Sequence, residues 1–241
     1  MTAIKTARER ARAELTWEIK QEARRQLAAT GASGLSLRAV ARELGMVSSA
    51  LYRYFPSRDE LLTALIVDAY AALGEHVEAA ERAVPPTHFR SRLRAVCRAV
   101  RDWAVQHPHE YALVYGSPVP GYDAPEHTVE QGGRVPFALL GLLRDAWIAD
   151  ALDPAAAPAP TSAVFPAVLA EQTAVIAAAV EPDLPGPLIA RGAMMWTQLF
   201  GMVSFELFGQ LRNSLDPADA FFDYAVGQLA DFLRLAADPV F

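Results

Sequence analysis

Ser49, Tyr52 and Arg53 are the residues whose types and spacing first suggest a chemistry in this 241-residue chain. A small hydroxyl, a phenol and a guanidinium so close together make or break no covalent bond. They suit hydrogen bonding to phosphate oxygens and to base edges in a nucleic-acid groove. Ser48 beside them is a natural first residue for a helix, and Pro56-Ser57 starts another whose free N–H groups, with Arg58, could hold a backbone phosphate. No enzyme motif competes with this reading: there is no nucleophile elbow, Walker loop, dinucleotide fingerprint or zincin pair. No cofactor is expected.

Such groups are useful only if something rigid aims them outward. Leu37, Val40, Ala41 and Leu44 recur at i, i+3, i+4 and i+7, an apolar stripe at helical period, with Ser36 placed to cap the helix. Gly45 ends it, since a glycine there adopts the left-handed backbone that closes a helix. A second helix over about Ser48 to Tyr54 is too short to stand alone, so it is expected to dock through Val47, Ala50 and Leu51. Two helices joined by a short glycine turn have helix-turn-helix spacing. A helical hairpin within a core is the alternative, but two caps, the glycine and an outward polar face coincide here.

At this point the sequence resembles the tetracycline-repressor (TetR/AcrR) family of one-component regulators. The pattern is carried by Ile19, Ala23, Leu27, Gly31, Leu37, Val40, Ala41, Gly45, Leu51, Tyr52, Tyr54, Phe55, Leu61 and Leu62, within about residues 14 to 66. The resemblance implies that the helix holding Ser48 to Tyr54 enters the major groove, and that Tyr52, Tyr54 and Arg58 hold phosphates. Arg58 stands where the family more often has lysine, which changes the donor geometry. The expected DNA-contacting set is Ser36, Arg38, Ser48, Ser49, Tyr52, Arg53, Tyr54 and Arg58.

The formal net charge of −6 argues against a nucleic-acid partner only if it is evenly spread. Residues 1 to 60 carry 11 Lys and Arg against 7 Asp and Glu, a net of +4, whereas residues 61 to 241 carry 11 against 21, a net of −10. A basic head on an acidic body would approach DNA head-first. The expected domains follow this division: 1 to 60 for DNA, 61 to 241 for ligand binding and dimerisation. Lys5, Arg8, Arg10 and Arg12 precede the pattern. They form a basic arm or extra turns of the first helix, and Glu9 and Glu14 favour a solvated helical face.

Apolar residues make up 52% of the chain, strong helix formers dominate, and no segment alternates apolar with polar, so the expected fold class is all-α. The charged N-terminal stretch has no signal-type apolar run, and VPFALLGLL is cut short by Arg144-Asp145. The expectation is a cytoplasmic protein with no membrane partner. Cys97 is the only cysteine, which forbids an intrachain disulfide. On the stripe Leu93, Val96, Val100 it reads as a buried small residue, although Arg94, Arg98 and Arg101 nearby leave a redox thiol as the alternative. His107 and His109 lack a third ligand at zinc spacing, so no metal is expected.

A helix from Ser57 to about Arg82, stopped by Pro85-Pro86, would be ~40 Å long and is the natural mechanical link, with Tyr70 and Leu73 on its far half. Helices are also expected over Thr87 to Gln106, after Pro108, from Arg134, from about Ala163 to Val180, and over about Leu188 to Leu211 and Asp216 to Ala236. An Ala/Pro-rich loop with Pro154, Pro158 and Pro160 interrupts them. The C-terminal part resembles the WHG type of the family, whose Trp-x-x-x-His-Gly reads here as Trp196 to Phe200-Gly201. Phe200 replaces the histidine. Tyr70, Trp103, Tyr111, Tyr115, Phe137, Trp147 and Met195 are the expected lining of a mostly apolar effector pocket. Phe200, Ser204, Phe208, Phe221 and Phe222 are the expected homodimer interface, because one short reading helix binds weakly and two-fold dimers read palindromic double-stranded operators.

Overall fold

A computed structural model describes residues 6–152, 165–180 and 182–239. Eleven α-helices lie among them: α1 (Ala7–Thr30), α2 (Leu37–Glu43), α3 (Ser48–Leu51), α4 (Arg58–Arg82), α5 (Phe89–Gln106), α6 (Pro108–Tyr115), α7 (Thr128–Gly132), α8 (Arg134–Ile148), α9 (Ala167–Val180), α10 (Gly186–Leu207) and α11 (Asp219–Phe232). No strand is present among the described residues, and the all-α class holds. Lys5 and the stretch with Pro154, Pro158 and Pro160 lie outside them, as does the expected start at Ala163 of the helix that begins at Ala167.

The chain divides into two compact units, residues 1–71 with 107–132 and residues 72–106 with 133–241. This differs from a division at residue 60, because the first unit also takes in the start of α4 to residue 71 and the later α6 and α7. The physical reason is a set of contacts far apart in sequence. Arg24 of α1 pairs with Glu110 of α6 at 3.2 Å and with Asp68 of α4 at 2.9 Å, and Lys20 reaches Asp68 at 2.9 Å. The Thr63 hydroxyl hydrogen-bonds the Tyr122 hydroxyl at 2.8 Å, and Tyr70 Oη donates to the Val114 carbonyl at 3.3 Å.

The core of this first unit comes from the stripes legible in the sequence. Ile19, Ala23 and Leu27 of α1 meet Leu37, Val40 and Ala41 of α2, with Leu51, Leu61 and Leu62 completing it. Two turns make the layout possible. Gly31 ends α1 with φ 69°, and Gly45 takes φ 65° between α2 and α3, values that an L side chain rarely adopts.

In the second unit α10 packs against α5, α8 and α9, and α11 packs against α5 and α10. Gly192 lets α10 approach α8 closely, since a Cβ there would lie 2.8 Å from Leu143 Cδ1. Buried charge is paired. Arg92 meets Glu81 at 2.6 Å and Asp145 at 2.9 Å, and Arg101 forks onto both carboxylate oxygens of Glu206 at 2.7 Å, with Asp219 at 3.0 Å. These bonds to the charged form raise the Arg101 pKa well above its ordinary value, against a smaller opposing effect of burial.

Candidate nucleic-acid interface

The reading surface is built on α2. Ser36 caps it by accepting from the Ala39 N–H at 3.4 Å, and its own N–H donates to Gln26 Oε1 at 3.3 Å, which ties the cap to α1. Beginning three residues past Gly45, α3 is only a single turn, continued as a tight turn to Tyr54, whose N–H donates to the Leu51 carbonyl at 2.8 Å. Its anchor is Leu51, fully buried, assisted by half-buried Ala50. Val47 does not dock as expected: it is 70% exposed. It occupies the cap position in extended backbone and so points out of the turn.

Ser48, Ser49, Tyr52 and Arg53 all face solvent, and their side chains make no hydrogen bond among the described residues. Arg38 is likewise exposed on α2. Tyr54 is half-buried, with the Arg12 guanidinium 5.2 Å above its ring. Arg58 differs from expectation. Its Nε donates to the Leu35 carbonyl at 3.2 Å and its Nη2 to the Ala32 carbonyl at 2.9 Å, so the guanidinium braces the loop ahead of α2. Asp59 and Glu60 occupy the first turn of α4, and Ser57 Oγ already accepts from the Glu60 N–H at 3.1 Å. Two carboxylates and a filled cap make that helix start a poor phosphate seat.

Of the expected pocket residues, the first unit brings three together. The Tyr70 and Tyr115 rings meet edge-on at 5.8 Å, and Tyr111, fully buried, lies 5.2 Å from Tyr115. Burial raises the phenol pKa values of Tyr70 and Tyr115, so both are neutral donors at physiological pH. Trp103 and Met195 are core residues of the second unit. Phe137 and Trp147 depart from the expected lining, because both are largely exposed on α8. Trp196 is edge-on to Phe200 at 6.0 Å, and its buried indole N–H has no acceptor among the described residues.

The residues of the expected interface differ in exposure. Phe200 and Phe222 are only 8% and 2% exposed, so the chain buries them itself. Ser204 and Phe221 are half-buried, and Phe208 is exposed. The apolar residues turned outward are instead Met194 and Phe205 (55% exposed) on α10, Phe208 just past its end and Tyr224 (68%) on α11. Met194, Gln198, Phe221, Tyr224, Gln228 and Phe232 line a groove of about 420 Å³ between these two helices. Sequence reasoning missed Tyr224, whose only signal was its place on the face of α11 opposite Phe222 and Val226.

Cys97 is fully buried, and burial pushes its thiol up to about 12. It is therefore protonated at neutral pH and lacks the thiolate that redox sensing needs. Among the described residues no three His, Cys, Asp or Glu side chains converge on a metal site, and no helix is long and apolar enough to cross a membrane.

A capped helix, a glycine turn and a second helix offering unpaired polar side chains define a helix-turn-helix DNA-binding unit, here followed by a helical body. The family model for bacterial regulatory proteins of the tetR family matches residues 19–65, and that for the tetracyclin repressor-like C-terminal domain matches residues 93–229. The chain is 42% identical over 219 residues to the HTH-type transcriptional regulators Rv1816 of Mycobacterium tuberculosis and Mb1846 of Mycobacterium bovis, covering 88% of this chain and 89% of each relative. Its fold matches the crystal structure of the regulatory protein SCO4313 with a TM-score of 0.72 and 31% identity, over 93% of this chain and 98% of that one. A Rhodococcus protein of unknown function shares the fold alone, with a TM-score of 0.67 and 23% identity over 92% and 95% of the two chains. This chain belongs to the TetR family of DNA-binding transcriptional regulators, and is a regulator rather than an enzyme.

Proposed function

We propose that the protein is a cytoplasmic homodimeric repressor that reads a palindromic operator through α3 and leaves it when a small, mostly apolar effector binds. The observation that carries the DNA reading is the row of exposed side chains Ser48, Ser49, Tyr52 and Arg53, none hydrogen-bonded among the described residues, on α3 and the turn after it, anchored by Leu51 with help from Ala50. Hydrated side chains with no partner among the described residues are free to exchange water for phosphate and base edges. In this reading Ser49 faces base edges, Tyr52, Arg53 and Arg38 hold phosphates, and exposed Val47 supplies an apolar contact to a thymine methyl. Ser36 and Arg58 act at one remove, by fixing α2 and the loop before it.

A single turn of helix reads few bases, so two heads are needed, spaced by about one helical turn of DNA, ~34–36 Å, or a multiple of it. The outward apolar face of Met194, Phe205, Phe208 and Tyr224 supports pairing of α10 and α11 with their copies into a four-helix interface. Release requires an effector that favours a dimer state with wrongly spaced heads. The three-tyrosine cluster and the core around Trp103 and Met195 are where aromatic surface is available to sense it. The test is binding-site selection from random duplexes, then a metabolite screen scored by loss of binding to the selected site. Enrichment of a palindrome and at least one releasing metabolite are expected; a selected site that no metabolite dissociates limits the protein to constitutive binding.

A further inference from the structure

Helix α1 starts well before residue 19, where the family's N-terminal pattern begins. These first turns are a finished helix end. Thr6 accepts from the Glu9 N–H at 3.2 Å, and the Glu9 carboxylate accepts from the Thr6 N–H at 2.7 Å, a reciprocal capping box. Yet residues 6–14 are all exposed, so burial of their own side chains gives no reason for the extension.

The placement of its charges does give one. At about 100° per residue, Arg8 and Arg12 fall on the line of Leu15 and Ile19, the edge of α1 that enters the head core, while Glu9 and Glu14 turn aside. Arg12 already reaches the end of the reading helix: its guanidinium stacks on Tyr54, and Nη2 donates to the Arg53 carbonyl at 3.5 Å. A guanidinium has five N–H donors, so others stay available to a partner. Arg8 lies one turn, about 6 Å, farther out on the same line.

We propose that Arg8 and Arg12 form a second DNA contact, gripping phosphates of the duplex that flanks the bases read by α3. The inference rests on the α3 reading above. It makes the extension of α1 a rigid outrigger that lengthens the footprint of each head, and gives Arg12 a second task, holding Tyr54 and Arg53 in place.

The test uses the full chain and two duplexes: the selected palindrome with about one helical turn of flank on each side, and the same palindrome trimmed to the read bases. Binding is measured against salt for wild type, Arg8→Ala, Arg8→Lys, Arg8→Glu and Arg53→Ala. Wild type should bind the flanked duplex several-fold more tightly. Arg8→Ala should lose that preference and reduce the salt slope by about one per head, Arg8→Lys should keep both, and Arg8→Glu should bind more weakly still. Equal wild-type affinity for both duplexes, or an unchanged salt slope in Arg8→Ala, overturns the proposal. So does unchanged or higher affinity of Arg8→Glu for the flanked duplex. Arg53→Ala separates the two readings, since it should weaken both duplexes alike; if it weakens neither, the α3 reading itself has failed.

Discussion

The head and the body of this regulator both turn to solvent side chains that a partner could cover, but of opposite kinds. Around α3 the exposed side chains are hydrogen-bonding groups, Ser48, Ser49, Tyr52 and Arg53, carried on one buried leucine. On α10, just past its end and on α11 they are Met194, Phe205, Phe208 and Tyr224, carried on helices whose other faces are already core. Water satisfies the first set until a patterned polar partner replaces it, whereas exposure of the second costs free energy until apolar surface covers it. A polar surface of this sort is suited to reversible reading and an apolar one to durable assembly.

The largest expected effects come from crossing the line between core and surface within the body. Phe222→Ala should cost about 3–5 kcal/mol of stability, because the ring is buried within one chain. Tyr224→Arg should leave the unfolding of the single chain nearly unchanged but shift the protein to monomers. Chemical denaturation and sedimentation velocity check the pair. Equal destabilisation by both, or a dimer that survives Tyr224→Arg, breaks the distinction.

In the head the comparable pair is Leu51 and Arg58. Leu51→Ala should cost about 2–5 kcal/mol and abolish DNA binding by freeing α3. Arg58→Ala should cost about 1–3 kcal/mol, since it strips the donors from the Leu35 and Ala32 carbonyls, and should leave the salt dependence of DNA binding unchanged. A reduced salt slope at wild-type stability would return Arg58 to the phosphate contacts.

The contrast between these residues also marks what the sequence could tell. The stripe Leu37, Val40, Ala41 and the glycine at 45 are local, so spacing alone placed α2 and its turn. Val47 was misread because a one-turn helix has too little period to show which side faces in. The bracing bonds of Arg58 were not legible because its carbonyl partners lie 23 and 26 residues earlier, beyond any local pattern. The inclusion of α6 and α7 in the first compact unit was not legible for the same reason, since Arg24–Glu110 is a pairing across 86 positions. On α10 apolar residues occur nearly all round, so periodicity could not separate buried Phe200 from exposed Phe205.

The smallest effect is expected at Cys97. With its thiol pushed up to about 12 from an ordinary 9.0, the folded state holds the proton more tightly than the unfolded one. This contribution to stability is complete below pH 9 and is lost as pH rises from there through the folded-state pKa. At neutral pH Cys97→Ser should bind DNA like wild type, and peroxide should change neither. Peroxide-dependent release from DNA by wild type alone would contradict the buried assignment.

The central claim is that α3 reads bases, and sequencing of duplexes selected by wild type and by Ser49→Ala tests it most directly. The account predicts that wild type enriches a two-fold symmetric site and that Ser49→Ala changes base preference at symmetry-related positions of both half-sites, with the spacing kept. No enriched site for wild type, or an identical site for Ser49→Ala, would contradict it.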